Sequence, residues 1–221
     1  MACAIAIDGP AGAGKSTIAR VLARELGFIY VDTGALYRTI GHHVISRGIA
    51  TDDTDAVVAA LDGLTVALDY VDGEQHVFAN GEDVSAVIRT PAVSMAASAV
   101  SAIPAVRTFL LDVQRNMAAT QSVVMDGRDI GTTILPNAEI KIFLTASPEA
   151  RAERRYKELM EKGVETTYDE VLADMVKRDY DDTHRAVSPL RQAADAVLVD
   201  TSNDTLEEAI ARMKQVVTDR L

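Results

Sequence analysis

Short apolar runs alternate with amphipathic segments along most of the chain. Five apolar runs have the length of a strand and cover residues 3–7, 28–31, 123–125, 140–144 and 196–199. Segments with helical spacing of apolar residues separate them. Strands that are apolar on both faces and are joined through helices are typical of a parallel sheet covered on both sides. The pattern therefore predicts an α/β fold with a five-stranded parallel sheet flanked by helices.

Two regions interrupt this alternation. Residues 64–84 contain three strand-like pieces separated by Asp72-Gly73 and Asn80-Gly81. Asp-Gly and Asn-Gly favour tight hairpin turns, because these turns need positive φ angles. We expect a small antiparallel β insert here.

The second interruption, residues 148–185, is polar and helical. Ser147-Pro148 suits a helix start, Gly163 divides the segment, and Thr167 stands three residues before Glu170, as in a capping box. A solvated helical hairpin is the simplest interpretation of this segment.

The last helix is predicted to begin with a similar capping box, Thr205 to Glu208. We expect its apolar stripe to belong to the core: Leu206, Ile210, Met213 and Val217.

The composition excludes several classes of protein. With 33 acidic and 22 basic residues the formal net charge is -11, which disfavours binding to a nucleic-acid polymer. A single cysteine excludes a disulfide framework. No apolar stretch approaches the roughly 20 residues of a membrane span, and the N-terminus lacks the basic start of a signal peptide. We expect a cytoplasmic protein that has no membrane partner.

One motif carries specific chemistry. Residues 9–16 fit G-x-x-x-x-G-K-[ST], with a predicted strand before them and a helix after them. Backbone N–H groups of such a loop converge on phosphate oxygens, Lys15 bridges the β- and γ-phosphates, and Ser16 ligates Mg²⁺. The alternative is a glycine-rich turn that matches by chance. The predicted ATP-binding residues are Gly9, Pro10, Ala11, Gly12, Ala13, Gly14, Lys15, Ser16 and Thr17.

Three classes of protein with this loop compete: signalling GTPases, motor ATPases and small-molecule kinases. The chain has no Asn-Lys dipeptide for reading guanine, and Asp126-Gly-Arg-Asp129 does not fit Asp-x-x-Gly. The 16 arginines outnumber the 6 lysines, and arginine suits bidentate phosphate clamps. Arg38 and Arg128 stand in or near loops after predicted strands, where such folds bind ligands. A small-molecule kinase is favoured, although a surface ion pair is the usual role of any single arginine.

Two alternatives stay open at this point. The first is a kinase for another monophosphate or for a shikimate-like alcohol. The second is a nucleotide-dependent switch or binding module without transfer activity.

Four motifs together resemble the bacterial cytidylate kinases within the P-loop nucleoside monophosphate kinases. They are residues 9–16, residues 32–38 (DTGALYR), residues 126–132 (DGRDIGT) and residues 185–190 (RAVSPL). The resemblance runs essentially end to end. It implies phosphoryl transfer from ATP, with Mg²⁺, to CMP and dCMP. Nothing in the sequence demands a partner chain, so a monomer is the default expectation.

The resemblance also implies a division of the chain. The core would comprise residues 1–32, 86–147 and 186–221. The NMP-binding lobe would span about 33–85, including the insert, and the lid about 148–185.

Roles for single residues follow from the same resemblance. Arg38, Arg128 and Arg185 would grip the CMP phosphate, and Arg178 with Asp182 would contact the ribose. The residues that would read or line the base pocket are Ser98, Arg107, Asp129, Tyr37 and Thr33. The candidate catalytic residues are Lys15, Arg128 and the lid arginines Arg151, Arg154 and Arg155.

Asp126 has two possible roles in the sequence. It follows a predicted strand beside the phosphate loop and could hold a water on Mg²⁺. It could instead cap the loop from Gly127 to Gly131.

Overall fold

The computed structural model describes residues 2–71 and 73–221. Asp72, in the predicted turn at Asp72-Gly73, lies outside these residues. The strands are β1 (Ala4–Asp8), β2 (Ile29–Asp32), β3 (Val66–Val71), β4 (Glu74–Ala79), β5 (Glu82–Asp83), β6 (Val123–Gly127), β7 (Ile140–Thr145) and β8 (Val197–Asp200). The helices are α1 (Lys15–Leu26), α2 (Thr33–Ile45), α3 (Thr54–Ala60), α4 (Pro91–Val100), α5 (Pro104–Thr120), α6 (Pro148–Glu161), α7 (Tyr168–His184) and α8 (Leu206–Thr218).

The five predicted core strands form one sheet in the order β2-β6-β1-β7-β8. β1 pairs in parallel with β6 and with β7, and β7 pairs in parallel with β8. Residues Ile5, Ile7 and Val124 are fully buried, as expected for strands covered on both faces. The parallel sheet flanked by helices is confirmed.

The chain divides into two compact units. The first unit comprises residues 3–29 and 122–221, and the second comprises residues 30–121. β2 begins in the first unit at Ile29 and continues into the second. The second unit has a large apolar core of its own, in which Leu36, Ile40 and Leu110 are inaccessible to solvent.

The insert in the second unit is an antiparallel sheet in the order β3-β4-β5. At its second turn Asn80 and Gly81 have φ angles of 51° and 81°. These values match the demand of a type I′ turn for two positive φ angles. The predicted hairpin insert is confirmed.

The predicted helix starts in the polar segment are confirmed as well. Ser147 accepts a hydrogen bond from the Ala150 N–H at the start of α6, and Thr167 forms the complete capping box with Glu170 at the start of α7. Gly163, with a φ of 70°, follows the end of α6.

The stripe predicted for the last helix needs one correction. Met213 and Val217 are buried and Ile210 is partly buried, but Leu206 is 50% exposed. Leu206 is the first residue of α8, and the first three residues of this helix are exposed to solvent. Ala209 begins the buried stripe instead.

A test of length and apolar composition finds no single membrane-spanning helix in the described parts of the chain. The pair α4 and α5 passes that test jointly, with a bend of 103° between the two helices.

Candidate functional site

The phosphate loop connects β1 to α1 in the first unit. Gly9 passes so close to β7 that a Cβ atom there would lie 1.9 Å from the Leu144 carbonyl oxygen. Gly14 caps α1 with a φ of 86°, a left-handed conformation that glycine adopts at little cost. Both glycines are therefore required by the backbone path that directs N–H groups into the loop.

Lys15 is buried at the start of α1, and its Nζ donates to the Pro10 carbonyl oxygen at 2.7 Å. Burial, and next the charge of Arg128, lower the pKa of Lys15 to about 7. The surrounding carboxylates thus do not fully compensate the positive charge of Lys15, and the phosphates of a nucleotide would stabilise its ammonium form.

Ser16 and Asp126 meet beside this lysine. The Ser16 hydroxyl donates to Asp126 Oδ2 at 2.9 Å. A hydroxyl and a carboxylate at this distance form an oxygen donor set of the kind that Mg²⁺ uses together with phosphate oxygens. The described residues contain no cluster of three or more His, Cys, Asp or Glu side chains able to hold a metal by themselves.

Asp8 caps the loop from Gly127 to Gly131, a role that the sequence also suggested for Asp126. Its two carboxylate oxygens accept from the N–H groups of Ile130 and Gly131 at 2.7 and 2.8 Å. Burial is the main reason why the pKa of Asp8 is raised to about 6. Sequence reasoning missed this role, although a carboxylate at the end of a central strand was a usable signal.

Two of the predicted CMP-binding arginines, Arg128 and Arg185, lie beside the carboxylate of Asp182 in the first unit. Arg128 Nε donates to Asp182 Oδ2 at 2.8 Å, and Arg185 lies 3.7 Å from Asp182 Oδ1. Arg185 also lies 3.5 Å from Asp129 Oδ1. Burial opposes the charge of Asp182, but Arg128, together with Arg185 and Arg178, holds the pKa of Asp182 below its usual value.

Arg178 adds another positive charge to this cluster. Burial lowers the pKa of Arg178, and the nearby charge of Arg128 lowers it further. Guanidinium groups that are desolvated and close to one another gain most from an anionic ligand. This cluster therefore has the properties of a phosphate site.

The three predicted lid arginines lie on α6 and have different surroundings. Arg151 is buried, pairs through two nitrogens with Asp179 on α7, and donates to the Ala11 carbonyl oxygen of the phosphate loop at 3.0 Å. Arg154 donates to the Thr201 carbonyl oxygen, and Arg155 donates to Glu158 on its own helix. Arg151 thus connects both helices of the segment to the phosphate loop.

A cavity of about 380 Å³ opens next to this connection. Pro10, Thr145, Arg151 and Asp179 contribute to its lining. It lies entirely within the first unit.

The second unit holds the remaining predicted residues. Arg38 Nη2 donates to Asp32 Oδ2 at 2.7 Å. Thr33, the residue after Asp32, is buried. The guanidinium carbon of Arg107 lies 5.4 Å from the centre of the Tyr37 ring, a cation–π distance.

Ser98 is joined to Arg107 through Ser101, a residue that sequence reasoning missed. The Ser101 hydroxyl donates to the Ser98 carbonyl oxygen at 2.8 Å, and Arg107 Nη1 donates to the Ser101 carbonyl oxygen at 3.1 Å. The structure therefore groups Tyr37, Ser98 and Arg107 within this unit.

A parallel sheet with a phosphate loop after its first strand, and with clustered arginines beyond the strand ends, defines a P-loop phosphotransferase of the small kinase type. A solved structure of an uncharacterized protein from Eubacterium ventriosum shares this fold, with a TM-score of 0.55 and 14% identity over 99% of both chains.

Sequence comparison narrows the class. A model of the cytidylate kinase family matches residues 5–219. The chain is 46% identical to the cytidylate kinase of Lactobacillus gasseri, over 96% of this chain and 93% of that protein. It is 47% identical to that of Thermosipho melanesiensis, over 100% of this chain and 99% of that protein. The chain belongs to the cytidylate kinase family.

The surroundings of Arg151 and Arg155 predict different effects of substitution. Arg151→Ala would leave Asp179 without its partner and should lower the free energy of unfolding by about 3 kcal/mol. Arg155→Ala removes an ion pair that is exposed to solvent and should cost less than about 1 kcal/mol. Urea denaturation measures both, and equal losses would contradict the anchoring role of Arg151.

Proposed function

We propose that the protein transfers the γ-phosphoryl group of ATP to CMP and dCMP, with Mg²⁺, by direct displacement. Membership of the cytidylate kinase family supports the substrates. The structural observation that carries the proposal is the cluster of Arg128, Arg178 and Arg185 around Asp182, because it supplies a phosphate site beyond the phosphate loop. A nucleotide switch has no use for a second such site.

The phosphate loop is the proposed site of ATP. Backbone N–H groups of residues 9–17, except Pro10, which has none, would surround the β-phosphate. Lys15 would contact the transferred group. Ser16 and Asp126 would hold Mg²⁺, directly or through water, and the ion would neutralise charge on the phosphates. The acceptor oxygen of CMP is already anionic, so the transfer needs positioning and charge neutralisation rather than a strong base.

The acceptor phosphate is assigned to Arg38, Arg128 and Arg185. Asp182 holds Arg128 and Arg185 at 2.8 and 3.7 Å in the structure. We propose that Asp182 orients these arginines and, with Arg178, also contacts the ribose.

Asp129 and Arg107 are the proposed readers of the base. Cytosine offers an amino donor at N4 and acceptors at N3 and O2. A carboxylate accepts from N4, and a guanidinium donates to N3 or O2. Uracil reverses the pattern at positions 4 and 3, so both side chains would be mismatched in a dry site. Ser98, Tyr37 and Thr33 would complete the pocket.

The segment 148–185 is proposed as the lid of the enzyme. Arg151 ties both of its helices to the phosphate loop, so movement of the segment and occupancy of the loop would be coupled. Arg151, Arg154 and Arg155 are the candidates for stabilising charge during transfer. Residues 33–85 are the proposed NMP-binding lobe, and residues 1–32, 86–147 and 186–221 the proposed core.

A monomeric, cytoplasmic enzyme is the simplest form consistent with the sequence. The single cysteine and the globular composition fit a reducing compartment, and each proposed site residue comes from one chain. Partners other than small molecules are not required by the proposal.

A coupled assay of ADP release tests the activity. CMP, dCMP, UMP, AMP and shikimate are offered separately with MgATP. We expect rapid ADP formation with CMP and dCMP, and much slower formation with AMP and shikimate. Turnover of shikimate alone, or ATP binding without turnover of any acceptor, would overturn the proposal.

Base reading predicts a change in selectivity on Asp129→Asn. The ratio of kcat/KM for CMP to that for UMP should fall by about tenfold, because an amide can pair with either base. Asp182→Asn is the matched control, since Asp182 also contacts Arg185. Asp182→Asn should lower activity with both substrates and leave the CMP-to-UMP ratio of kcat/KM unchanged. If this ratio were the same in Asp129→Asn and Asp182→Asn, Asp129 would be excluded as the residue that reads the base.

The lowered pKa of Lys15 predicts proton uptake on binding of ATP. With a pKa of about 7, a large share of Lys15 is neutral near pH 8. Phosphates favour the ammonium form, so binding should take up a fraction of a proton. Calorimetry in buffers of different ionisation enthalpy measures this number. Lys15→Arg, which stays charged, should remove the uptake; an equal uptake in both proteins would contradict the assignment.

A further inference from the structure

Hydrogen bonds tie the antiparallel insert to the end of β2 within the second unit. The Tyr70 hydroxyl donates to the Tyr30 carbonyl oxygen at 2.6 Å. Gln75 Oε1 accepts from the Asp32 N–H at 2.8 Å, and Gln75 Nε2 donates to the Asp32 carbonyl oxygen at 3.4 Å. The side chain of Gln75 therefore contacts both polar backbone groups of Asp32.

The strand register explains how two side chains reach the same strand. Tyr70 on β3 stands directly opposite Gln75 on β4. Tyr30 and Asp32 are alternate residues of β2, so their backbone polar groups lie on one edge of that strand. Tyr70 and Gln75 replace hydrogen bonds that a further strand would make there.

Asp32 connects this edge to Arg38. Its Oδ1 accepts from the Ala35 N–H at 3.0 Å and caps α2, and its Oδ2 accepts from Arg38 Nη2 at 2.7 Å. Gly34 leaves room for this pairing, since a Cβ atom there would lie 3.0 Å from Arg38 Nη1. The position of the Arg38 guanidinium therefore depends on the position of Asp32.

Arg38 itself has one unsatisfied group. Its Nε is buried and has no hydrogen-bond partner among the described residues. A buried donor without a partner is costly, and an anionic ligand would remove that cost. This observation is in keeping with the proposed contact between Arg38 and the acceptor phosphate.

We propose that Gln75, supported by Tyr70, is a positioning residue for the acceptor phosphate. It fixes the backbone of Asp32, and through the Asp32 carboxylate it fixes the orientation of Arg38. The insert would thus contribute to binding of CMP without touching it. This inference rests on the role proposed above for Arg38.

Gln75→Met tests the inference, because methionine keeps the length of the side chain and removes its hydrogen bonds. The KM for CMP should rise by about fivefold, the effect expected for the loss of one or two hydrogen bonds. The KM for ATP should not change. The inhibition constant of cytidine, which has no phosphate, should not change either, whereas general disruption of the nucleoside pocket would raise it.

His76→Met is the matched control. His76 is the next residue of β4 and bonds to Asp83 inside the insert, at 2.6 Å. The substitution also removes a polar contact from this strand but leaves β2 untouched, so the KM for CMP should stay at the wild-type value. An equal rise in both variants would mean that any damage to the insert has the same effect, and would overturn the inference.

A double-mutant cycle separates this inference from the proposed function. If Arg38 grips the phosphate, Arg38→Met raises the KM for CMP, and adding Gln75→Met should then have little further effect. An unchanged KM in Arg38→Met would contradict the role of Arg38. A raised KM in Arg38→Met with no effect of Gln75→Met alone, or with fully additive effects, would contradict the positioning role.

Tyr70→Phe provides a second route if Gln75→Met does not fold. It keeps the ring and removes the single bond to Tyr30. The KM for CMP should rise by about twofold, in keeping with one lost hydrogen bond, while the KM for ATP stays constant. No rise in the KM for CMP would overturn the inference.

Discussion

Carboxylates hold several arginine side chains of this protein in place, and the proposed site depends on these ion pairs. Arg38 pairs with Asp32, Arg128 with Asp182 and Arg151 with Asp179. In the proposed site, these arginines would need to be oriented before a phosphate binds. Burial by itself disfavours the charge of a guanidinium group, as at Arg128. A carboxylate beside the guanidinium compensates the charge and fixes its direction. The pairs also restrict where a phosphate can approach, because some of the donors of each arginine are already used.

Buried charged side chains also connect helices and loops that are distant in sequence. Asp8 belongs to β1 but caps the loop after β6, and Arg151 on α6 contacts both α7 and the phosphate loop. The segment 148–185 is therefore joined to the phosphate loop through the hydrogen bonds of Arg151. For an enzyme that must exclude water during transfer, such a direct connection between the phosphate loop and the proposed lid would have a clear use.

Local patterns were sufficient to predict the fold, because each strand and each helix start has its signal within a few residues. The five apolar runs, the Asn80-Gly81 turn and the capping box at Thr167 are examples, and all are present in the structure. Leu206 shows the limit of such patterns: periodicity gives the face of a helix but not how far along the helix its neighbours extend. Of the candidate site, the phosphate loop is likewise a local signal, and the pairing of Ser16 with Asp126 follows from the strand order.

The parts of the site that sequence reasoning missed are contacts over long separations. Asp8 meets a loop more than a hundred residues away, and Gln75, in the β insert, meets Asp32 at the end of β2. Gln75 belongs to no motif, and Asp8 offers only the general signal of a carboxylate at the end of a central strand. The three-dimensional path of the chain is needed to show what each of them contacts. The net charge of -11 can also be understood only with the structure in hand. Taken over the whole chain, this charge argues against anionic ligands. Several of the acidic side chains, however, are buried beside arginines and Lys15. Part of the negative charge thus serves to organise positive charge, which is why an acidic protein can present a phosphate site.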